Sequence, residues 1–437
     1  MRQYRDALVT ASSELAKALS AATASGQALI PQDLEPALVE ELLALQPLLR
    51  LMPIIPASGR VHEIARRTAH GIAVAEGAGV QGTGTQGTYD RPTVTLKIHH
   101  YWGEVEGFQH AASAKFIDDL VLEQQGGIEA MADLLEFELL YGNATADAYL
   151  MDGLDALITT NIFNIANVTA TLTHLDNAID AVRQFRGAQT DPYVWLMSSK
   201  MKSKITGLMT YARRTVQTIE FEGGLRMESY FYPIVESSCC APPATAPASP
   251  AAAIATGGSL PNSAYYYKIA SVRQNGECIA GAQVTATSGA TEHKTNLTWT
   301  ADPLALLYKI YRGTTTGDAN LTLLTTIAAR TRLGTGAYDA NVAAWTDEGT
   351  VVAPTGAANE GPLATGDESI FLVNLNPARG AGLVSLINPL GDRVDNLINY
   401  IPLAQVKESY PFLLSCFSAL QVPWEKLHAH IRKIKPA

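Results

Sequence analysis

Thr93-Val-Thr-Leu-Lys-Ile-His-His-Tyr-Trp-Gly-Glu-Val-Glu106 is the stretch where the chain changes its hydrophobic period. Val94, Leu96, Ile98, His100 and Trp102 alternate with Thr93, Thr95, Lys97, His99 and Tyr101. Period two means a strand with two unlike faces. Residues 108–141 then take up helical spacing. Ile117, Leu120 and Val121 form one apolar patch, and Ile128, Met131, Leu135 and Leu139 form another. Gly126-Gly127 separates the patches. Each glycine costs about 1 kcal/mol inside a helix, so a kink or break is expected there. Upstream, residues 60–66 read as a second strand. Between the strands lie Gly77, Gly79, Gly82, Gly84 and Gly87, interleaved with Thr and Gln. The segment 60–107 is therefore predicted to be a long two-stranded arm with a pliable end, followed by a long structural helix. A lone ribbon is marginal in water and needs a surface to lie on. A second copy of the chain supplies one. The predicted contacts are Arg66, Arg67, the five glycines, Trp102, and Glu104 with Glu106 on one strand face.

The flanking sequence fills in the order of elements. Residues 1–20 read as a short, weak helix, and 33–50 as a stronger one that Pro47 cuts or ends. Leu51-Met-Pro-Ile-Ile-Pro56 is extended. Residues 172–186 form a helix and Tyr193–Met197 a buried strand. Ser198-Ser199 caps a helix over 200–211. A sharp change comes at 241–256, whose Ala/Pro-rich composition is that of a linker. About 100 residues of short strands with turn punctuation follow, the pattern of a small β-sandwich. A second Pro/Gly/Ala-rich link spans 350–366. Strands are expected at Ile370–Val373 and Leu383–Ile387, with a short helix over 392–398. The end, with Phe412–Phe417 and the basic Arg432-Lys-Ile-Lys435, reads as further strands.

The chain has 437 residues, too many for one core, and a net charge of −10. No basic stripe of a sequence-specific DNA binder is present. No apolar run reaches the ~18 residues of a membrane span. Cys239, Cys240, Cys278 and Cys416 make no disulfide framework, which fits synthesis in a reducing cytoplasm.

Chemistry finds little support. His99 and His100 are adjacent in a strand and face opposite ways, so they do not share a metal. His428 and His430 share a face, but no acidic or cysteine cluster completes a site. The Gly/Thr run lacks the Lys-Ser/Thr of a phosphate loop. Glu104 and Glu106 face no cleft, and read as solvent-exposed or as intersubunit partners for arginines such as Arg66 and Arg67. No catalytic residue, cofactor or metal is expected.

Arm, glycine-tipped ribbon, long helix and α/β domain, in this order, resemble the major capsid proteins of tailed bacteriophages with the HK97-type fold. Gly26-Gln-Ala-Leu-Ile-Pro-Gln-Asp-Leu-Glu-Pro-Ala-Leu-Val39 looks like the start of that family's extended arm. The resemblance implies an α+β fold with an N-terminal arm over 1–59 and an extended β-arm over 60–107. A peripheral domain with the spine helix would span 108–160, and the axial domain 161–240 and 361–410. Strands at 411–437 would return to the peripheral domain. Tyr265-Tyr-Tyr-Lys, Asn275-Gly-Glu277, Leu297-Thr-Trp299, Tyr308-Lys-Ile-Tyr-Arg312 and Trp345-Thr-Asp-Glu-Gly349 resemble fibronectin type III and immunoglobulin-like modules of phage structural proteins. They place an inserted Ig-like domain, with its linker, at 241–360.

The implied function is a shell of pentamers and hexamers of the chain itself around double-stranded DNA, bound without sequence specificity. A separate scaffold protein, a portal protein and a decoration protein are the implied partners, with no membrane. The implied location is the virion capsid, after assembly in the host cytoplasm. The family's lysine–asparagine cross-link finds no matching set, because the tip 77–87 contains no lysine. The competing readings are a tail or decoration component and a hydrolase with an accessory β-domain. Shells are expected to survive deletion of 245–360.

Overall fold

A computed structural model describes residues 47–73, 75, 85–113, 119–185, 188–211, 217–220, 226–230, 232–332, 338–386, 397–404 and 408–436. The helix expected at 1–20, most of those at 33–50 and 392–398, and Gly77, Gly79, Gly82 and Gly84 lie outside these residues.

The spine helix spans Asp119–Tyr141 without a break. The glycine pair does not break it, and packing sets the two glycines apart. A Cβ on Gly127 would lie 2.7 Å from the Tyr101 ring and 2.9 Å from Leu414, whereas one on Gly126 would meet nothing within 4 Å. Gly127 lets the helix approach the sheet closely. Among the described residues a helix spans Pro47–Leu51. The Glu136 carboxylate accepts from the backbone N–H of Leu48 at 3.3 Å and of Leu49 at 2.9 Å, and so caps this short helix from the spine.

Two sheets make the body. In the five-stranded one, Ile54–Ala57 runs parallel to Gly382–Leu386, and Ser409–Gln421 pairs with Gly382–Leu386, Asn399–Pro402 and Lys97–Glu106. The seven-stranded sheet runs in the order Ile162–Thr169, Ala429–Lys435, Glu368–Asn374, Tyr193–Met197, Tyr232–Glu236, Arg226–Tyr230, Gln217–Glu220. Leu175, Ile179 and Val182 of the helix Leu172–Arg183 pack in its core with Met201, Ile205 and Met209 of the helix Ser199–Tyr211. Trp195, Leu372 and Ile431 complete it. Ser198 caps the second helix as predicted, its hydroxyl accepting from the Met201 N–H at 3.0 Å.

Strand pairing redraws the expected division of the C-terminal third. Gly382–Leu386 and Asn399–Pro402, placed by the sequence with the axial segment 361–410, lie in the five-stranded sheet. Ala429–Lys435, grouped with 411–437, crosses to the seven-stranded sheet. Its burial shows why: His428, His430, Arg432 and Lys433 are all buried, so this basic tail is a core strand.

The described residues of 251–347 include two facing sheets, antiparallel but for the short parallel pairing of Gly257 and Gly258 with Glu292 and His293. One is built on Glu292–Thr298, flanked by Ala251–Ala255 and Ala344–Asp347. The other is built on Ala264–Arg273 and Ala305–Gly313, with Thr322–Ala328 beyond. Tyr267, Ile269, Leu297, Trp299, Tyr308 and Ile310 fill the space between. Both links, linkers by composition, are packed as straps against their neighbours. Ile279 N–H donates to Pro243 C=O and Thr300 N–H to Ala248 C=O on the incoming strap. Ala280 N–H donates to Leu363 C=O and Leu323 N–H to Glu360 C=O on the outgoing one. Proline-rich sequence loses little entropy on such ordering.

Residues 105–123 and 405–410 group as a separate small unit. Within it His110 meets Asp119 at 2.8 Å and the Tyr410 ring at 5.1 Å.

Candidate intersubunit surface

The arm is a ribbon of short pairs. Val61–Glu63 pairs with Thr93–Thr95, and Arg66–Ala69 with Thr88–Asp90. Arg66 is engaged within its own chain. It binds Asp90 at 2.6 Å, donates to the Pro423 carbonyl, and lies 5.1 Å over the Trp424 ring. Its guanidinium and the Arg91 N–H hold the Asp90 carboxyl below its ordinary value. Arg67 is exposed, and its side chain lies against Gly87, the one tip glycine among the described residues.

The decisive strand departs from the reading that opened the sequence. Thr93–Glu106 is two strands, Thr93–Thr95 and Lys97–Glu106, and the alternation changes phase between them. Val94 and Leu96 face inward; beyond Leu96, whose N–H donates to Arg60 C=O, the odd positions turn inward instead. His99 and Gly103 are buried, while Ile98, His100, Trp102, Glu104 and Glu106 face out. Trp102 is 65% exposed and Ile98 60%. A one-residue slip of phase exchanges the two faces of a strand completely. The apolar row that the sequence assigned to one face is therefore divided, and its second half is presented to solvent beside Glu104 and Glu106.

The inward half is fastened to the spine. His99 Nε2 lies 3.1 and 3.0 Å from the two oxygens of Glu138, and both residues are buried. Glu138 also accepts from the Met151 N–H at 2.9 Å. Burial alone disfavours the imidazolium, but Cys416 and the Glu138 carboxylate override it and push His99 up to about 10. The sequence reading took His99 only as a strand-face residue. Its role is an ion pair whose partner lies in a distant helix. A Cβ on Gly103 would lie 2.1 Å from the Phe412 ring, so this position closes the strand onto Ser409–Gln421.

Among the described residues no group of three or more His, Cys, Asp or Glu is arranged to hold a metal ion, and no helix is long and apolar enough to cross a membrane. His428 is pushed down to about 3 by burial, and burial likewise depresses His430, whose ring stacks on Phe371 at 4.0 Å.

The ribbon arm is thus fastened to a continuous spine helix and presents an exposed apolar row. The sequence matches the family described as SU10 major capsid protein over residues 15–234. The chain belongs to that family. It is a shell-forming major capsid protein with the HK97-type fold, associates with itself, and is a virion component. Among solved structures, the encapsulin of the holo-SrpI complex from Synechococcus elongatus is similar in fold. It is 10% identical with a TM-score of 0.51, over 96% of this chain and 97% of that one. The capsid of Cyanophage A-1(L) is 14% identical with a TM-score of 0.48, covering 93% of this chain and 98% of the other. Mycobacterium phage Ogopogo gives 10% and 0.46, with coverage of 94% and 99%. No curated protein matches the capsid subunit.

Proposed function

We propose that the outward face of Lys97–Glu106 is a contact by which one capsid subunit grips the next. Arg67 and the glycine-rich tip 77–87 would extend the same grip. The observation that carries this reading is the exposure of Trp102 and Ile98 on a strand whose other face is tightly packed. Apolar side chains aligned on one strand face mark an interaction site, and aromatic anchors dominate the energy of such contacts. Glu104 and Glu106, beside them, suit arginines of a neighbouring copy. Arg66 is the less suited of the two predicted arginines, because Asp90 already holds it.

In this reading the subunits form pentamers and hexamers that close into an icosahedral shell around double-stranded DNA. Scaffold, portal and decoration proteins assist in the host cytoplasm. The DNA is enclosed without sequence-specific binding, consistent with an acidic chain. The 251–347 sandwich is an Ig-like or fibronectin III-like module displayed on the outer surface. Function is geometric, and no catalysis is assigned.

The test is the double variant Ile98→Thr, Trp102→Ser, with assembly followed by sedimentation and electron microscopy. Folded subunits that no longer form shells are the expected result. Shells in normal yield would remove this face from the contact.

A further inference from the structure

The sandwich and the body share a buried charge site that neither the capsid fold nor surface display explains. The body contributes Asp155 from the helix Leu154–Leu157, and His430 and Arg432 from the strand Ala429–Lys435. The sandwich contributes Glu277, Lys309 and Tyr311, and the outgoing strap Glu360. All seven are buried. Lys309 reaches Asp155 at 2.6 Å, Glu277 at 3.0 Å and Glu360 at 3.5 Å. Arg432 reaches Glu277 at 2.7 Å, Asp155 at 3.0 Å and Glu360 at 3.6 Å. Tyr311 donates to Glu277.

Each side of the joint carries one cation and one anion that match each other. Yet the shorter contact made by each cation crosses the joint: Lys309 to Asp155, and Arg432 to Glu277. The pairs are exchanged between sandwich and body. Three carboxylates face two cations, and burial demands near-neutrality. Burial raises every one of these carboxyls. At Asp155 and Glu277 the two cations override it and hold the groups below their ordinary values. At Glu360, whose contacts are the longest, burial wins and the group is raised above its ordinary value.

We propose that this exchanged pair clamps the inserted sandwich to the capsid body, so that the sandwich and the C-terminal strand open together as one cooperative unit. Contacts around the clamp point the same way. Arg332 of the sandwich binds Asp147 at 2.6 Å, with its guanidinium 4.9 Å over the Tyr149 ring. Gly276, at φ +104°, abuts Cys239, whose carbonyl a Cβ there would meet at 2.3 Å. That carbonyl also accepts from the Tyr141 hydroxyl of the spine at 2.9 Å. The joint thus reaches from the sandwich through residue 239 to the spine helix.

Hydrogen exchange on the unmodified subunit across a denaturant series tests this without any variant. Amides of Ala264–Arg273, Ala305–Gly313 and Ala429–Lys435 are expected to converge on one opening event. A sandwich that opens separately, with the C-terminal strand still protected, overturns the clamp. A second measurement uses Asp155→Asn, Lys309→Met and the double variant in the full chain. Removing one member unbalances the buried charges, so the double variant is expected to melt well above the temperature that the two single losses add to. Strict additivity overturns the proposal.

Discussion

Two buried groups at the spine, His99 packed onto it and Glu136 within it, fasten neighbouring segments of the chain, and both respond to protons. His99 titrates near 6.5 in an unfolded chain and at about 10 here. A raised folded value favours the folded state at low pH. The contribution is complete below about 6.5 and is lost as the pH rises through about 10. Glu136 is pushed from 4.5 up to about 7, chiefly by burial and also by Asp133, against the pull of the Leu49 and Leu48 N–H groups. Its contribution is complete below about 4.5 and is lost as the pH rises through about 7. Both fastenings therefore weaken toward alkali, in successive windows. Thermal melts of the unassembled subunit from pH 5 to 10.5 should show the decline, and Glu136→Gln should remove its first part. Glu138→Gln leaves His99 buried with a broken ion pair and should cost about 3–5 kcal/mol at pH 7 in denaturant unfolding. A variant as stable as the parent would sink that assignment.

At the scale of elements, the adjacent glycines of the spine give opposite predictions. Gly126→Ala meets open space and gains helix propensity, so it should stabilise by about 1 kcal/mol. Gly127→Ala makes the same gain but drives a methyl into Tyr101 and Leu414. Overpacking of that kind costs about 1–3 kcal/mol, so its net effect should be neutral to destabilising. The two melting midpoints, compared side by side, check both. Sequence spacing alone does not separate these positions, because the difference lies in what crosses the helix. Elements whose signal is local were legible: the wholly apolar Tyr193–Met197, the Ser198 cap and the Asn275-Gly276 turn. The strand Ile162–Thr169 was not. Ala166 and Asn167 take left-handed backbone at φ 55° and 67°, and the register against Ala429–Lys435 shifts there, so its alternation is spoiled.

For the whole molecule, the order of elements was enough to reach the shell fold, whereas the attachment of the insert was hidden. Ala/Pro-rich straps look alike in sequence whether they hang free or lie packed. Lys309 and Asp155 are far apart in the chain, and nothing local marks either as buried. The expectation that shells survive loss of 245–360 rested on reading that segment as an insertion with a linker on each side. With Glu277, Lys309, Tyr311 and Glu360 all inside that segment, its removal dismantles the joint. Contacts between copies give a different proton response from that of the subunit. If Glu104 and Glu106 meet arginines of a neighbour, intact shells should loosen as the pH falls from about 7 to 4, the direction in which the unassembled subunit's fastenings hold. Shells unchanged over that range, followed by light scattering, would remove the carboxylates from the contact.

The change of phase at Leu96 also bears on how this stretch can vary by mutation. Exchanging one side chain for another between Thr93 and Glu106 alters a single position. Inserting or deleting one codon between Thr95 and Lys97 shifts the whole strand by one. Trp102 and Ile98 would then be aimed at the spine, and His99 turned away from Glu138. Descendants of this gene should therefore differ here in letters but not in length, and insertions should collect at the arm's tip instead.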